Sequence, residues 1–158
     1  MRGARNEAQQ KGCELPMPAQ QREVYVYNQT KETFLAFRVK VADSGLSRLV
    51  GLLGKRNLEP QRGVWIVPCN CIHTIGMLFR IDVVLVDEDF KVVGLHELVG
   101  PFSFTRPNLR AESVFELPAH TIVRSRTEIG DQLLIDRYRG EWVPLAAASQ
   151  EDRVTVKQ

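Results

Sequence analysis

The chain has little of what usually announces a function. Three cysteines and three histidines are spread over 158 residues. Three cysteines cannot all pair within one chain, and their spacing is no disulfide framework. No second cysteine pair accompanies Cys69 and Cys71, so the four-ligand pattern of structural zinc is missing. The formal net charge of +2 is too small to argue for nucleic acid or an anionic membrane surface. No stretch approaches the ~20 apolar residues of a membrane span. Met1 to Gln21 lack the apolar core of a secretory signal. These absences predict a cytoplasmic protein with free thiols, no cofactor, and a small ligand or a protein as partner.

What is present is ordinary globular composition, 44% hydrophobic and 25% charged, enough for one domain with a core. Residues 1–21, polar and Gln-rich, read as a disordered arm, residues 22–140 as a β-rich domain, and residues 141–158 as a tail.

The densest apolar, β-branched run lies between Gly63 and Asp87. Val64–Val67 and Ile81–Val86 are too short for buried helices and read as strands buried on both faces. Pro68 and Gly76 break the segment between them, which predicts strand, irregular crossing, strand. Val24–Asn28 and Thr33–Ala42 read as a hairpin. Val92–Leu95, Glu112–Leu117 and the end of Glu128–Ile135 supply further strands. Asp43 and Ser44 can cap a helix over Gly45–Leu53, whose Leu46, Leu49, Val50 and Leu53 share one face. Ala119–Arg126 reads as either a short helix or an extended run, and His96–Leu109 as a long connection. The expectation is a mostly β, single-domain antiparallel β-sandwich or barrel, jelly-roll-like, with one short helix.

Several separated segments appear in a fixed order: Arg48–Lys55, Pro68-Cys-Asn-Cys-Ile-His-Thr-Ile-Gly-Met77, Ile81–Asp87, Val114–Ala119 and Ile129–Leu133. Over roughly Val24 to Asp136 the chain resembles the bacterial and archaeal family known as domain of unknown function 192. The resemblance implies a compact, mainly β fold and no established activity. The chain departs from the family pattern at Phe90 and His120, where members usually carry glycine. A bulky residue with positive φ at Phe90 would be strained.

If Cys69, Cys71 and His73 stayed extended, they would share one face, with neighbouring Cα atoms about 6.6 Å apart. That suits a metal site, or a Cys–His nucleophile pair with Asp82 orienting the imidazole. The more frequent outcome for such residues is burial of small thiols and a histidine bonded to backbone. Asp82 stands among apolar residues, so its charge needs a partner. It is a base or ligand, or the structural partner of Arg80, Arg110, His73 or backbone N–H groups. The catalytic candidates are therefore His73, Asp82 and Cys71, and the metal candidates Cys69, Cys71 and His73. Thr74, Met77, Phe102, Phe104 and Arg48 are candidates for lining a ligand site. Without a complete catalytic signature, a binding module for a small molecule, glycan or peptide ranks first. An interaction subunit ranks second and a metal- or Cys/His-dependent enzyme third.

Overall fold

A computed structural model describes residues 23–43 and 57–137. The anticipated arm, tail, Gly45–Leu53 helix and Arg48 lie outside those residues. Seven strands are described: β1 (Glu23–Asn28), β2 (Thr33–Ala42), β3 (Arg62–Ile66), β4 (Ile81–Val86), β5 (Val92–Val99), β6 (Ser113–Pro118) and β7 (Leu133–Arg137). One short helix, α1 (Thr121–Ser125), precedes β7. The fold class is as expected, mostly β with a short helix, and the described helix falls in the stretch that read either way.

The strands form one sheet in the order β5-β4-β6-β3-β2-β1-β7. Neighbours are antiparallel except β2 and β3, which run parallel from Arg38/Arg62 to Ala42/Ile66. A parallel pair needs a long crossover, and the connection from Asp43 to Gln61 provides one. The sheet curls until its two edges meet at one end. There Lys91 bridges Gln132, Val92 N–H donates to Asp131 C=O at 2.9 Å, and Leu133 N–H donates to Phe90 C=O at 3.0 Å.

The central strands are buried on both faces because alternate side chains serve two cores. Trp65, Val84, Val86, Phe115 and Leu117 point into the curl, with Val26, Leu35, Val39 and Ile122. Trp65 stacks on Phe115 at 5.6 Å and meets the edge of Phe90 at 5.8 Å. On the other face Val64, Ile66, Val83, Leu85 and Val114 pack against Ile72, Met77 and Ala111. Gly63 stands where the strands press closest: a Cβ there would lie 2.9 Å from the Glu116 carbonyl oxygen.

His96–Leu109 was expected to be connection throughout, but β5 continues through Val99. Gly94 and His96-Glu97 weaken the local β signal, whereas pairing with β4 extends the strand. Ile81 pairs Val99 and Val83 pairs His96, so Glu97 and Leu98 together oppose Asp82. This extra residue is a β-bulge, and Leu98 adopts φ 53° within it.

Candidate functional site

Beyond the β4/β5 pair, the two chain ends do not part. Residues 69–75 and 102–108 zip together as an irregular ribbon that folds back over the second core. Asn108 anchors the fold-back, its side-chain amide donating to Val93 C=O at 2.9 Å. His73 and Phe104 form an isolated antiparallel bridge. It is flanked by Thr74 N–H to Ser103 C=O at 2.9 Å and Thr105 N–H to Ile72 C=O at 3.0 Å. The Thr74 hydroxyl donates to Gly100 C=O at 2.6 Å and accepts the Ser103 N–H at 2.8 Å. Thr105 Oγ1 accepts the Ile72 N–H at 2.9 Å.

Alternation along this ribbon sorts its side chains into two faces. Ile72 and Thr74 are buried toward the sheet, while His73 and Ile75 face solvent. On the partner stretch Ser103 and Thr105 are half-buried, while Phe102 and Phe104 are 65% and 71% exposed. Leu78, just past the Ile75-Gly76 turn, is 70% exposed. The His73 and Phe104 rings lie 6.1 Å apart on the outer face. Phe102, Phe104, Ile75 and Leu78 are exposed apolar side chains of the ribbon and the turn beside it.

The other candidates are scattered. Met77 is 3% exposed and belongs to the second core, and Thr74 is fully buried, its hydroxyl joining the two halves of the ribbon. The one-face arrangement of Cys69, Cys71 and His73 required an extended run, but the chain bends at residues 67–70. Cys69 packs against the second core, and its thiol donates to Cys71 C=O at 2.8 Å. Neither cysteine is in a disulfide among the described residues, and both are half-buried, while His73 is exposed. Among the described residues, no three His, Cys, Asp or Glu side chains gather where a metal ion could be held.

Asp82 is fully buried, and its partners are backbone N–H groups rather than Arg80, Arg110 or His73. One oxygen accepts the Leu98 N–H at 3.0 Å and the other the Ile122 N–H at 2.9 Å. Its side chain shares the β4 face of Val84 and Val86, opposite the face that carries the ribbon. The sheet thus separates Asp82 from His73. Among other carboxylates, Glu97 and Glu112 are exposed and Glu116 is buried.

Leu78, Ile75, Arg106 and the exposure of the whole ribbon face were not read from the sequence as site features. The available signal was the alternation His73/Ile75 against Ile72/Thr74, obscured by the surrounding Pro and Gly.

The geometry defines a class of protein: a small curled β-sheet with a folded-back ribbon presenting apolar side chains. A family model described as DUF192, Uncharacterized ACR, matches residues 26–135, and the chain belongs to that family. It is similar to a UPF0127 protein of Thermococcus sibiricus, 33% identical over 111 residues, covering 67% of this chain and 71% of the relative. A UPF0127 protein of Pyrococcus horikoshii is 31% identical over 114 residues, covering 68% of this chain and 96% of the relative. A crystal structure of a protein of unknown function from Novosphingobium aromaticivorans shares the fold at a TM-score of 0.61 and 19% identity. That match covers 71% of this chain and 83% of the other. Among the described residues, no helix is long and apolar enough to cross a membrane.

Proposed function

We propose that this chain is a binding module whose working surface is the outer face of the ribbon. The observation that carries this reading is the exposure of Phe102 and Phe104, beside Ile75 and Leu78, on a segment whose inner face is firmly anchored. Exposed aromatic side chains on a rigid support bind with little loss of conformational freedom. The inner hydrogen bonds of Thr74 and Thr105 supply that support. Long loops held on a compact scaffold are a common location for binding.

The test is a thermal-shift screen of sugars, metabolites and peptides against the wild-type chain and a Phe102→Ser/Phe104→Ser double variant. Both substituted residues are exposed, so the variant folds. At least one ligand class raises the wild-type melting temperature and leaves the variant unchanged. Equal shifts in both proteins, or none in the wild type, would remove the proposal.

A further inference from the structure

Resting on that binding-surface reading, we infer that the ribbon receives an extended acidic peptide segment of a partner protein, added as a third strand along the Phe104 edge. Three observations converge on this occupant.

The first is an open edge. In a bridge flanked as His73/Phe104 is, the bridged residues turn their own N–H and C=O away from each other. Among the described residues neither backbone group of Phe104 is hydrogen-bonded. An exposed strand with unsatisfied backbone groups is a template for an added strand. Phe102 lies in a turn at φ 54° with its N–H donated to Thr74 C=O at 3.0 Å, and Pro107 follows Arg106, which confines pairing to Ser103 through Arg106.

The second is the side-chain face beside that edge. Phe104 stands on the edge itself, and Phe102, in the turn that precedes it at φ 54°, exposes a second ring at the end of that edge. Ile75 and Leu78 widen the apolar surface.

The third is charge. Pro68–Arg80 and Gly100–Ala111 contain Arg80, Arg106 and Arg110 and no aspartate or glutamate. All three arginines are exposed, and none is ion-paired among the described residues. This local excess favours a partner with carboxylates, and it opposes a second copy of the same ribbon by like-charge repulsion. An anionic membrane would satisfy the arginines and phenylalanines. It has no regularly spaced backbone donors and acceptors for the Phe104 edge, so the peptide fits more of the surface.

The experiment selects short random peptides on the full chain, with subtraction on the Phe102→Ser/Phe104→Ser variant. The recovered consensus peptide is then titrated into isotope-labelled protein. Selected peptides are expected to be net acidic with apolar residues at alternate positions. Binding shifts the amide resonances of residues 71–75 and 102–106 and slows hydrogen exchange at the Phe104 N–H. Arg106→Glu weakens binding about tenfold or more, since reversing a charge at an interface costs on the order of 1–2 kcal/mol. Neutral or basic consensus peptides, or an unprotected Phe104 amide in the complex, would overturn the inference. If a sugar or metabolite engages the ribbon and peptides do not, the peptide inference falls and the binding surface stands; if only phosphatidylglycerol-containing vesicles engage it, both fall. If peptides, vesicles and the small-molecule panel all leave the ribbon unperturbed, both fall.

Discussion

The Asp82 carboxylate accepts the Ile122 amide at 2.9 Å, joining β4 to the start of α1 across 40 residues of chain. His120, the N-cap of that helix, makes no side-chain capping bond. Asp82 therefore performs at long range what a capping Ser or Asp does locally. Its other oxygen accepts Leu98 N–H, the amide that the bulge in β5 turns out of the ladder. One buried carboxylate thus satisfies two orphaned donors and ties the bulge, the sheet and the helix together.

Asp82→Asn keeps the shape but offers one acceptor oxygen where two are used, leaving a buried donor unsatisfied. The expected loss is about 1–3 kcal/mol. Urea denaturation followed by tryptophan fluorescence measures it. An unchanged midpoint would show that the two bonds contribute nothing net.

Phe90 and His120 occupy left-handed backbone, at φ 60° and 67°. Replacement by glycine relieves about 1–2 kcal/mol of strain at either position, set against about 0.5–1 kcal/mol of added chain entropy. His120 is exposed, so His120→Gly raises the melting temperature slightly, by up to about 1 kcal/mol in stability. Phe90 packs against Trp65 and the inner core. Phe90→Gly therefore lowers stability despite the same relief, because a half-buried ring contributes roughly 2 kcal/mol. Opposite signs in a calorimetric comparison of the two variants are the expected result.

Gly63 admits no side chain without displacement. A Cβ would meet Glu116 C=O and Leu117 Cδ2 at 2.9 Å each and Val39 Cγ2 at 3.3 Å. Gly63→Ala costs about 1–3 kcal/mol as overpacking, read as a lower denaturant midpoint with an unchanged slope.

Thr74→Val removes the hydroxyl that bonds Gly100 and Ser103 while preserving volume. It loosens the ribbon more than the sheet: amides of residues 72–75 and 102–105 exchange faster, while β4 and β6 keep their protection. Uniform acceleration throughout would instead mean global destabilisation.

The Tyr25 phenol is held above its ordinary value of 10.0 by burial, and by the nearby Asp136 carboxylate, which repels phenolate and accepts the phenol hydrogen bond. A raised folded value means that the folded state keeps its proton longer. This stabilisation is fully present below the unfolded value and is lost as pH rises through the folded one, in the window above about pH 10. Wild type should therefore lose more stability than Tyr25→Phe between pH 9 and 11, as compared by thermal melts across that range. Parallel pH curves for the two proteins would contradict it.

Much of the fold was legible because strands write their burial locally. Ile81–Val86 is uniformly apolar apart from Asp82, and it is a strand with those bounds, buried on both faces. Thr33–Ala42 was likewise bounded correctly. The resemblance at Pro68–Met77 and Ile81–Asp87 pointed to the family that the chain belongs to. The departures from the family pattern at Phe90 and His120 left the turn geometry there open, and both residues adopt positive φ.

Beyond the hairpin of β1 and β2, which the sequence did indicate, partnership was not legible. No local pattern states that β2 pairs parallel to β3, or that the edges meet at Lys91 and Gln132. Sequence alternation determined which residues form strands and which of their faces are apolar, because side-chain direction along a strand depends on nearest neighbours. Only the tertiary structure decided that Phe102 and Phe104 face water and that Asp82 answers to Ile122. Both depend on a ribbon folding back and a helix docking across the sheet, contacts made between residues far apart in the chain.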